Sequence, residues 1–317
     1  MTSQQGLTNG IPPLDAVGSG VLPPVESRVR RTFWALERLA PWVGSRWAVE
    51  LWCTPPVLES SLRMPPGVGP GKPVDAYWDG HRVVGEEWGQ GPPVYLVHGW
   101  GGQRAHLAVF VKPLIEAGYR AIAFDLPSHN ASDPGALAPG RTTAIECADA
   151  IAAMISSHGP AHAVIAHSLG ANATALASAR GAHVGRLVFL APMGDFPLYL
   201  DLFAVRHNFG HRIRAGLQRR LEKRIGMPLE DTNMARIGRR ISYPPLLLIH
   251  DPDDPDSPYA ASQQLAAAWA GARLLTTRGL GRLAHYRILR HRPAITAGLD
   301  FIGPPSSEAS TPQNTSS

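Results

Sequence analysis

From residue 75 onward, short apolar runs alternate with stretches of helical spacing. An extended segment around Ala76–Trp78 meets Asp79-Gly80, a dipeptide suited to a tight hairpin, and returns through Val83–Trp88. After Gly91-Pro92-Pro93, the run Val94–Val97 is continuously apolar and predicts a strand buried on both faces. The same rhythm predicts strands at Ala121–Phe124, Ala163–Ala166, Arg186–Leu190, Leu246–Ile249 and Arg273–Thr276. Between them, helical spacing covers His106–Ala117, Thr143–Ser157, Gly170–Ala179, Tyr259–Ala270 and Tyr286–Phe301. Apolar strands alternating with helices imply an α/β fold with a mostly parallel central sheet and helices on both faces. The expected core spans residues 70–195 and 241–302, interrupted by a basic helical insertion at 196–240. In sheets of this kind ligands bind beyond the carboxyl ends of the strands, and candidate chemistry is sought there.

Before the core, Val29, Phe33, Leu36, Ala40, Val43, Trp47 and Leu51 recur at intervals of three or four. That stripe predicts a helical extension within residues 26–60, as two short helices broken near Pro41. Trp34, Trp42, Trp47 and Trp52 stand there beside Arg28, Arg30, Arg31, Arg38 and Arg46. Such an amphipathic segment suits either packing against its own domain or peripheral contact with a membrane, and packing is the reading adopted. Residues 1–25 and 303–317, rich in Ser, Thr, Gly and Pro, read as disordered tails.

Composition narrows the function classes. The 317 residues include no apolar run long enough for a transmembrane helix. The first twenty residues lack a basic region followed by an apolar one, so no secretory signal is expected. Cys53 and Cys147 are the only cysteines, too few for a disulfide framework, and a reducing cytoplasm is the default compartment. The net charge of +5 is carried largely by arginine and concentrates at 206–240. This reads first as a solvated helix face; without a helix-turn-helix, zinc-finger or RNP pattern, no nucleic-acid partner is expected.

The chemistry begins at Val164-Ile165-Ala166-His167-Ser168-Leu169-Gly170-Ala171, an apolar strand, a serine and an Ala-rich helix. A serine on so sharp a turn exposes Oγ above the sheet and needs small residues two positions away on each side. Ala166 and Gly170 meet that need; the bland alternative is an ordinary helix N-cap. His98-Gly99-Trp100-Gly101-Gly102 follows the first buried strand. Its glycines let the backbone turn toward a developing oxyanion, with the N–H groups of Trp100 and Leu169 as candidate donors, each worth roughly 3 kcal/mol of barrier. Neither a G-x-G-x-x-G pattern nor a Walker lysine accompanies it, so no nucleotide cofactor is expected.

A serine nucleophile needs a base, and the base needs an acid. Past the strand at Leu246–Ile249 the chain offers Asp251, Asp253, Asp254 and Asp256. Calcium binding at this run fails the EF-hand spacing, with Asp256 at the glycine position and Ser262 at the final glutamate position, so no metal is expected. Two histidines follow the acidic run. His285 lies between Gly279-Leu280-Gly281 and the last helix, whereas His291 falls inside that helix and is expected on its surface.

From about 75 to 302 these residues resemble the α/β-hydrolase superfamily. Phe124-Asp125-Leu126-Pro127-Ser128-His129-Asn130-Ala131-Ser132 is similar to the family's D-x-P-G-H-G-x-S segment, with Ser128 and Asn130 in place of both glycines. The resemblance puts the acid at Asp254, as the last residue of a G-x-x-D-like segment with Pro258 four positions on, and the base at His285, three residues beyond its usual spacing after the glycines. It implies a triad of Ser168, Asp254 and His285, and a cap domain at 196–240. It also implies a small-molecule acyl substrate rather than the haloalkanes or epoxides handled by relatives with an aspartate nucleophile. A carboxylic-ester hydrolase is the leading expectation. A thioesterase or acyltransferase, a cofactor-free haloperoxidase-like activity, and a non-catalytic binding protein on the same fold are the alternatives. Oligomeric state is not legible here.

Overall fold

The computed structural model describes residues 25–56, 64–239 and 244–305. The expected tails fall almost wholly outside the described residues, as do residues 57–60 of the N-terminal extension and Arg240.

Eight strands form one sheet: β1 (Lys72–Trp78), β2 (His81–Trp88), β3 (Pro93–Val97), β4 (Arg120–Phe124), β5 (Ala163–His167), β6 (Leu187–Leu190), β7 (Leu246–His250) and β8 (Arg273–Thr276). Their spatial order is β1-β2-β4-β3-β5-β6-β7-β8. β1 and β2 form the expected hairpin at Asp79-Gly80, with Trp78 opposite His81, and β2 runs antiparallel to β4. All later pairings are parallel. β1 begins four residues earlier than expected, because Lys72 and Pro73 are exposed and carry no apolar signal.

The helices are α1 (Ser27–Leu39), α2 (Pro41–Trp52), α3 (Val111–Glu116), α4 (Ala144–His158), α5 (Leu169–Ala179), α6 (Phe196–His207), α7 (His211–Ile225), α8 (Met234–Gly238), α9 (Tyr259–Ala268), α10 (Ala284–Arg287) and α11 (Arg292–Ile302). α4 has the firmest start: Thr143 and Glu146 exchange side-chain and backbone hydrogen bonds in a capping box. Two single helices of the sequence reading are interrupted. Arg104–Phe110 is a 3₁₀ helix that hands over to α3, so Pro113 falls in the first turn of α3, where its missing N–H costs little. The last helix is likewise divided into α10, a 3₁₀ turn at Ile288–Arg290, and α11. Pro293 in the first turn of α11 blocks continuation backward, and His291 is the extended residue capping α11 instead of a residue inside it.

Helices α6, α7 and α8 fill the interval between β6 and β7. The hairpin of α1 and α2 packs on them through Phe33, which is fully buried and stacks on Trp47 at 4.3 Å between ring centroids. Glu37 accepts hydrogen bonds from the N–H groups of Arg212 and Ile213, both at 3.0 Å, and so closes the free N-terminus of α7. Arg220 donates to Ser45 Oγ at 3.0 Å. Trp47 and Trp52 pack against the core, whereas Trp34 and Trp42 remain exposed. Cys53 and Cys147 are free and buried, and burial pushes both thiols up to about 12.

Candidate active site

Ser168 follows β5 directly and precedes the first residue of α5. Its backbone lies at φ 51° and ψ −119°, a strained conformation for a residue with a side chain. The strain is held by close packing around the turn. A Cβ on Gly170 would lie 2.3 Å from the carbonyl oxygen of His98 and 2.8 Å from that of Val97, so only glycine fits there. Gly99 approaches as closely: a Cβ on it would lie 2.9 Å from Ser168 Cβ.

The loop after β3 is held by two histidines. His98, fully buried, donates from Nδ1 to the Gly99 carbonyl at 2.7 Å and accepts from the Leu126 N–H at 3.0 Å through Nε2. His129 donates from Nδ1 to Pro127 and accepts from the Gly101 N–H at 3.0 Å. Burial keeps both imidazoles well suited to these neutral, one-donor roles by lowering their pKa. Trp100 stands between the residues so anchored, and it and Leu169 line the same cavity as Ser168.

Ser128 and Asn130, which replace the glycines of the resembling motif, adopt φ of 60° and 43°. Their side chains offset the backbone cost. Ser128 Oγ donates to the Arg141 carbonyl and accepts from the Gly135 N–H, each at 2.8 Å. Asn130 donates to the buried carboxylate of Asp125 at 2.9 Å, which Arg104 also binds.

Of the four acids after β7, Asp254 is the one that meets His285. His285 Nδ1 donates to Asp254 Oδ2 at 2.8 Å, and both side chains are buried. The other oxygen, Oδ1, accepts from the N–H groups of Asp256 and Ser257 at 2.8 and 2.9 Å. Burial favours a neutral Asp254, but the charge of His285 and hydrogen bonds from His250 and His285 outweigh it and hold the carboxyl well below its usual range. Burial likewise opposes a charged His285, and Asp254 overcomes it, so the imidazole titrates above its ordinary value. Asp251 is buried and accepts from Thr277, whereas Asp253 is exposed. Of the three extra residues before His285, Arg282 and Leu283 fall in a 3₁₀ turn, Gly281–Leu283, and Ala284 opens α10.

Two further histidines belong to this arrangement and were not singled out in the sequence. His250, at the end of β7, donates from Nε2 to Asp254 Oδ2 at 3.2 Å and accepts from Ser262 at 2.7 Å. His167, the residue before Ser168, donates from Nε2 to the His285 carbonyl at 2.8 Å. Both stand where an apolar strand ends in a histidine, which was the available signal.

Asp254, Asp256 and His285 bring one ligand atom each within 4.8 Å of one another, the arrangement among the described residues most like a metal site. Asp254 already accepts four hydrogen bonds, two from imidazoles and two from backbone N–H groups.

Ser168 and His285 line one cavity of about 810 Å³, and no hydrogen bond joins them among the described residues. Contacts of this kind are often long before substrate binds and tighten in the complex. The cavity wall is mainly apolar: Trp52 comes from α2, Phe196 and Phe203 from α6, Leu221 and Ile225 from α7.

Residues 94–309, more than half of the chain, match the alpha/beta hydrolase family. The chain belongs to that family. An esterase from Exiguobacterium antarcticum superposes with a TM-score of 0.54 at 18% identity, covering 73% of this chain and 99% of its own. A hydrolase from Pseudomonas aeruginosa PA01 gives 0.57 at 19% identity, covering 74% and 99%. These likenesses establish the alpha/beta hydrolase fold. A non-heme chloroperoxidase from Kitasatospora aureofaciens is 37% identical over 62 residues, which is 20% of this chain and 22% of that protein. This chain thus matches about a fifth of the length of that curated relative.

Proposed function

We propose that this alpha/beta hydrolase cleaves a carboxylic ester, or a related acyl bond, through an acyl-enzyme on Ser168. The observation that carries this reading is the buried Asp254–His285 pair, at 2.8 Å, opening on the same cavity as the strained serine. With Nδ1 committed to Asp254, the remaining nitrogen of His285 is the one free to accept the Ser168 proton. Oγ then attacks the substrate carbonyl, and the oxyanion is met by the N–H groups of Trp100 and Leu169. Collapse breaks the acyl–oxygen bond while His285 returns its proton to the leaving alcohol. A water, deprotonated by the same imidazole, releases the acid and restores the serine. Asp254 orients the ring and stabilises its cationic form throughout. Helices α6 to α8 would serve as the cap, and the apolar wall that α6 and α7 form with α2 suits an apolar acyl group.

The test is covalent labelling by a fluorophosphonate together with turnover of p-nitrophenyl esters. A single adduct on Ser168, and loss of both adduct and turnover in Ser168→Ala, is the expected result; an unlabelled wild-type protein overturns the reading. Arg30 and Arg206 also line the cavity, which gives a thioesterase or acyltransferase a specific foothold. Higher kcat/KM for acyl-coenzyme A than for matched p-nitrophenyl esters selects that alternative.

A further inference from the structure

We propose that the α1–α2 hairpin is a docking element for an anionic lipid surface. Isolated exposed apolar side chains are ordinary, but this hairpin concentrates them. Trp34, Leu39 and Trp42 are 51%, 85% and 64% exposed; Leu39 and Trp42 flank the single-residue junction at Ala40 between the helices, and Trp34 lies further back on α1. The guanidinium of Arg38 lies 3.8 Å over the ring of Trp34, joining the cationic and aromatic parts of the patch. Arg28, Arg31, Arg38 and Arg46 are all exposed, and among the described residues none forms an ion pair with a carboxylate. The acids within the hairpin are engaged elsewhere: Glu37 with the N-terminus of α7, and Glu50 with Arg141 at 3.5 Å. Glu26 is the exposed acid, just ahead of α1. Helix α7, packed against α2, begins at the same junction, where exposed Arg212 donates to the carbonyls of Glu37 and Arg38.

This combination selects the occupant. Indole rings favour the boundary between headgroups and acyl chains, and unpaired arginines favour anionic headgroups. A nucleic-acid partner would use the charge but leaves the adjoining Leu39, the most exposed large apolar residue described, without a role. The inner side of the same hairpin contributes Arg30, Leu51 and Trp52 to the cavity wall. Docking would therefore bring a lipid surface against an element shared with the proposed acyl site. The proposal stands on the exposed patch and does not require the hydrolase reading.

Flotation of the full-length protein tests it, with vesicles of phosphatidylcholine alone and vesicles enriched in phosphatidylglycerol. Binding is expected to the anionic vesicles, weakening as salt is raised. Arg31→Gln combined with Arg46→Gln should weaken it roughly twenty-five-fold, from about fivefold per basic side chain near an anionic surface. Trp34→Ser combined with Trp42→Ser should abolish flotation. Both double variants change exposed positions, and an unchanged Tm confirms their folds. The proposal is overturned if the full chain fails to float with anionic vesicles, including the case where removing residues 1–24 uncovers binding, which would make that segment the occupant. Equal binding by wild type and both variants, or retention on a DNA oligonucleotide without vesicle binding, overturns it as well.

Discussion

His167 reaches from the residue before the strained serine to the backbone carbonyl of His285, 118 positions later, at 2.8 Å. The carbonyl can only accept, so Nε2 of His167 carries the proton, and burial holds this ring neutral. The two imidazoles lie 4.6 Å apart between centroids, and His167 thereby fixes the backbone that carries His285. His167 is thus a positioning residue in the proposed reaction. In His167→Phe the buried carbonyl loses its partner, at a cost of about 1–3 kcal/mol. We expect kcat on a p-nitrophenyl ester to fall roughly tenfold with KM nearly unchanged, since one lost positioning interaction acts on the transition state. A lower Tm with wild-type kcat would reduce His167 to packing alone.

In the proposed reaction the Asp254–His285 pair would set the acid side of the pH profile. His285 must be neutral to accept a proton, and Asp254 raises its pKa, so kcat/KM should rise through a limb centred above the unperturbed ~6.5. In Asp254→Asn that limb should move to lower pH while kcat drops by roughly ten-thousand-fold. The same linkage acts on stability. The raised pKa of His285 means its contribution is complete below ~6.5 and is lost as pH rises through the folded value. The depressed pKa of Asp254 means its contribution is present above ~3.9 and lost as pH falls through the folded value. Thermal melts of wild type and Asp254→Asn should therefore draw closer as pH is raised past the titration of His285, with a residual gap because the hydrogen bonds to the Asp254 carboxylate persist.

The parallel core was legible because β3, β5, β6 and β7 are continuous apolar runs, which only a doubly covered sheet accommodates. The edge was less so: β1 pairs through the backbone of Lys72 and Pro73, whose exposed side chains follow no period. Local spacing also could not foresee where Pro293 divides the last helix, because proline is tolerated in a first turn and forbidden only later. At the site, the strand–serine–helix context made Ser168 a readable candidate, whereas the acidic run left four acids open and only the register of the family resemblance pointed to Asp254. The roles of His167 and His250 lay beyond sequence because they depend on contacts between β5, β7 and the loop before α11. Ser128 and Asn130 depart from the motif in residue type, and both stand at positive φ, the backbone region that favours glycine.

Gly170 offers a direct check of the turn geometry. An added methyl would meet two backbone oxygens, at 2.3 and 2.8 Å, neither of which can move without shifting β3. Overpacking usually costs about 1–3 kcal/mol, and a clash with backbone belongs at the upper end. Gly170→Ala should lower Tm and abolish fluorophosphonate labelling of Ser168 together. Retention of full labelling at a wild-type Tm would mean that α5 does not approach β3 this closely.

The apolar wall of the cavity predicts how acyl-chain preference responds to Trp52. Its ring meets Phe203 edge-on at 5.3 Å and Phe196 at 6.3 Å, so the indole closes the cavity where α2 faces α6. Trp52→Leu keeps an apolar surface but removes the larger ring, leaving space that a longer acyl chain can occupy. Each additional methylene buried there contributes about 0.8 kcal/mol, or roughly fourfold in kcat/KM. The ratio of kcat/KM for long against short p-nitrophenyl esters should therefore rise by roughly fourfold per methylene accommodated, even as the variant loses stability from its incompletely filled core. Because Trp52 belongs to the N-terminal hairpin, outside the residues matched to the family, the outcome bears on that hairpin in particular. An unchanged chain-length profile, with Ser168 still labelled, would remove α2 from the acyl site and leave the serine chemistry untouched.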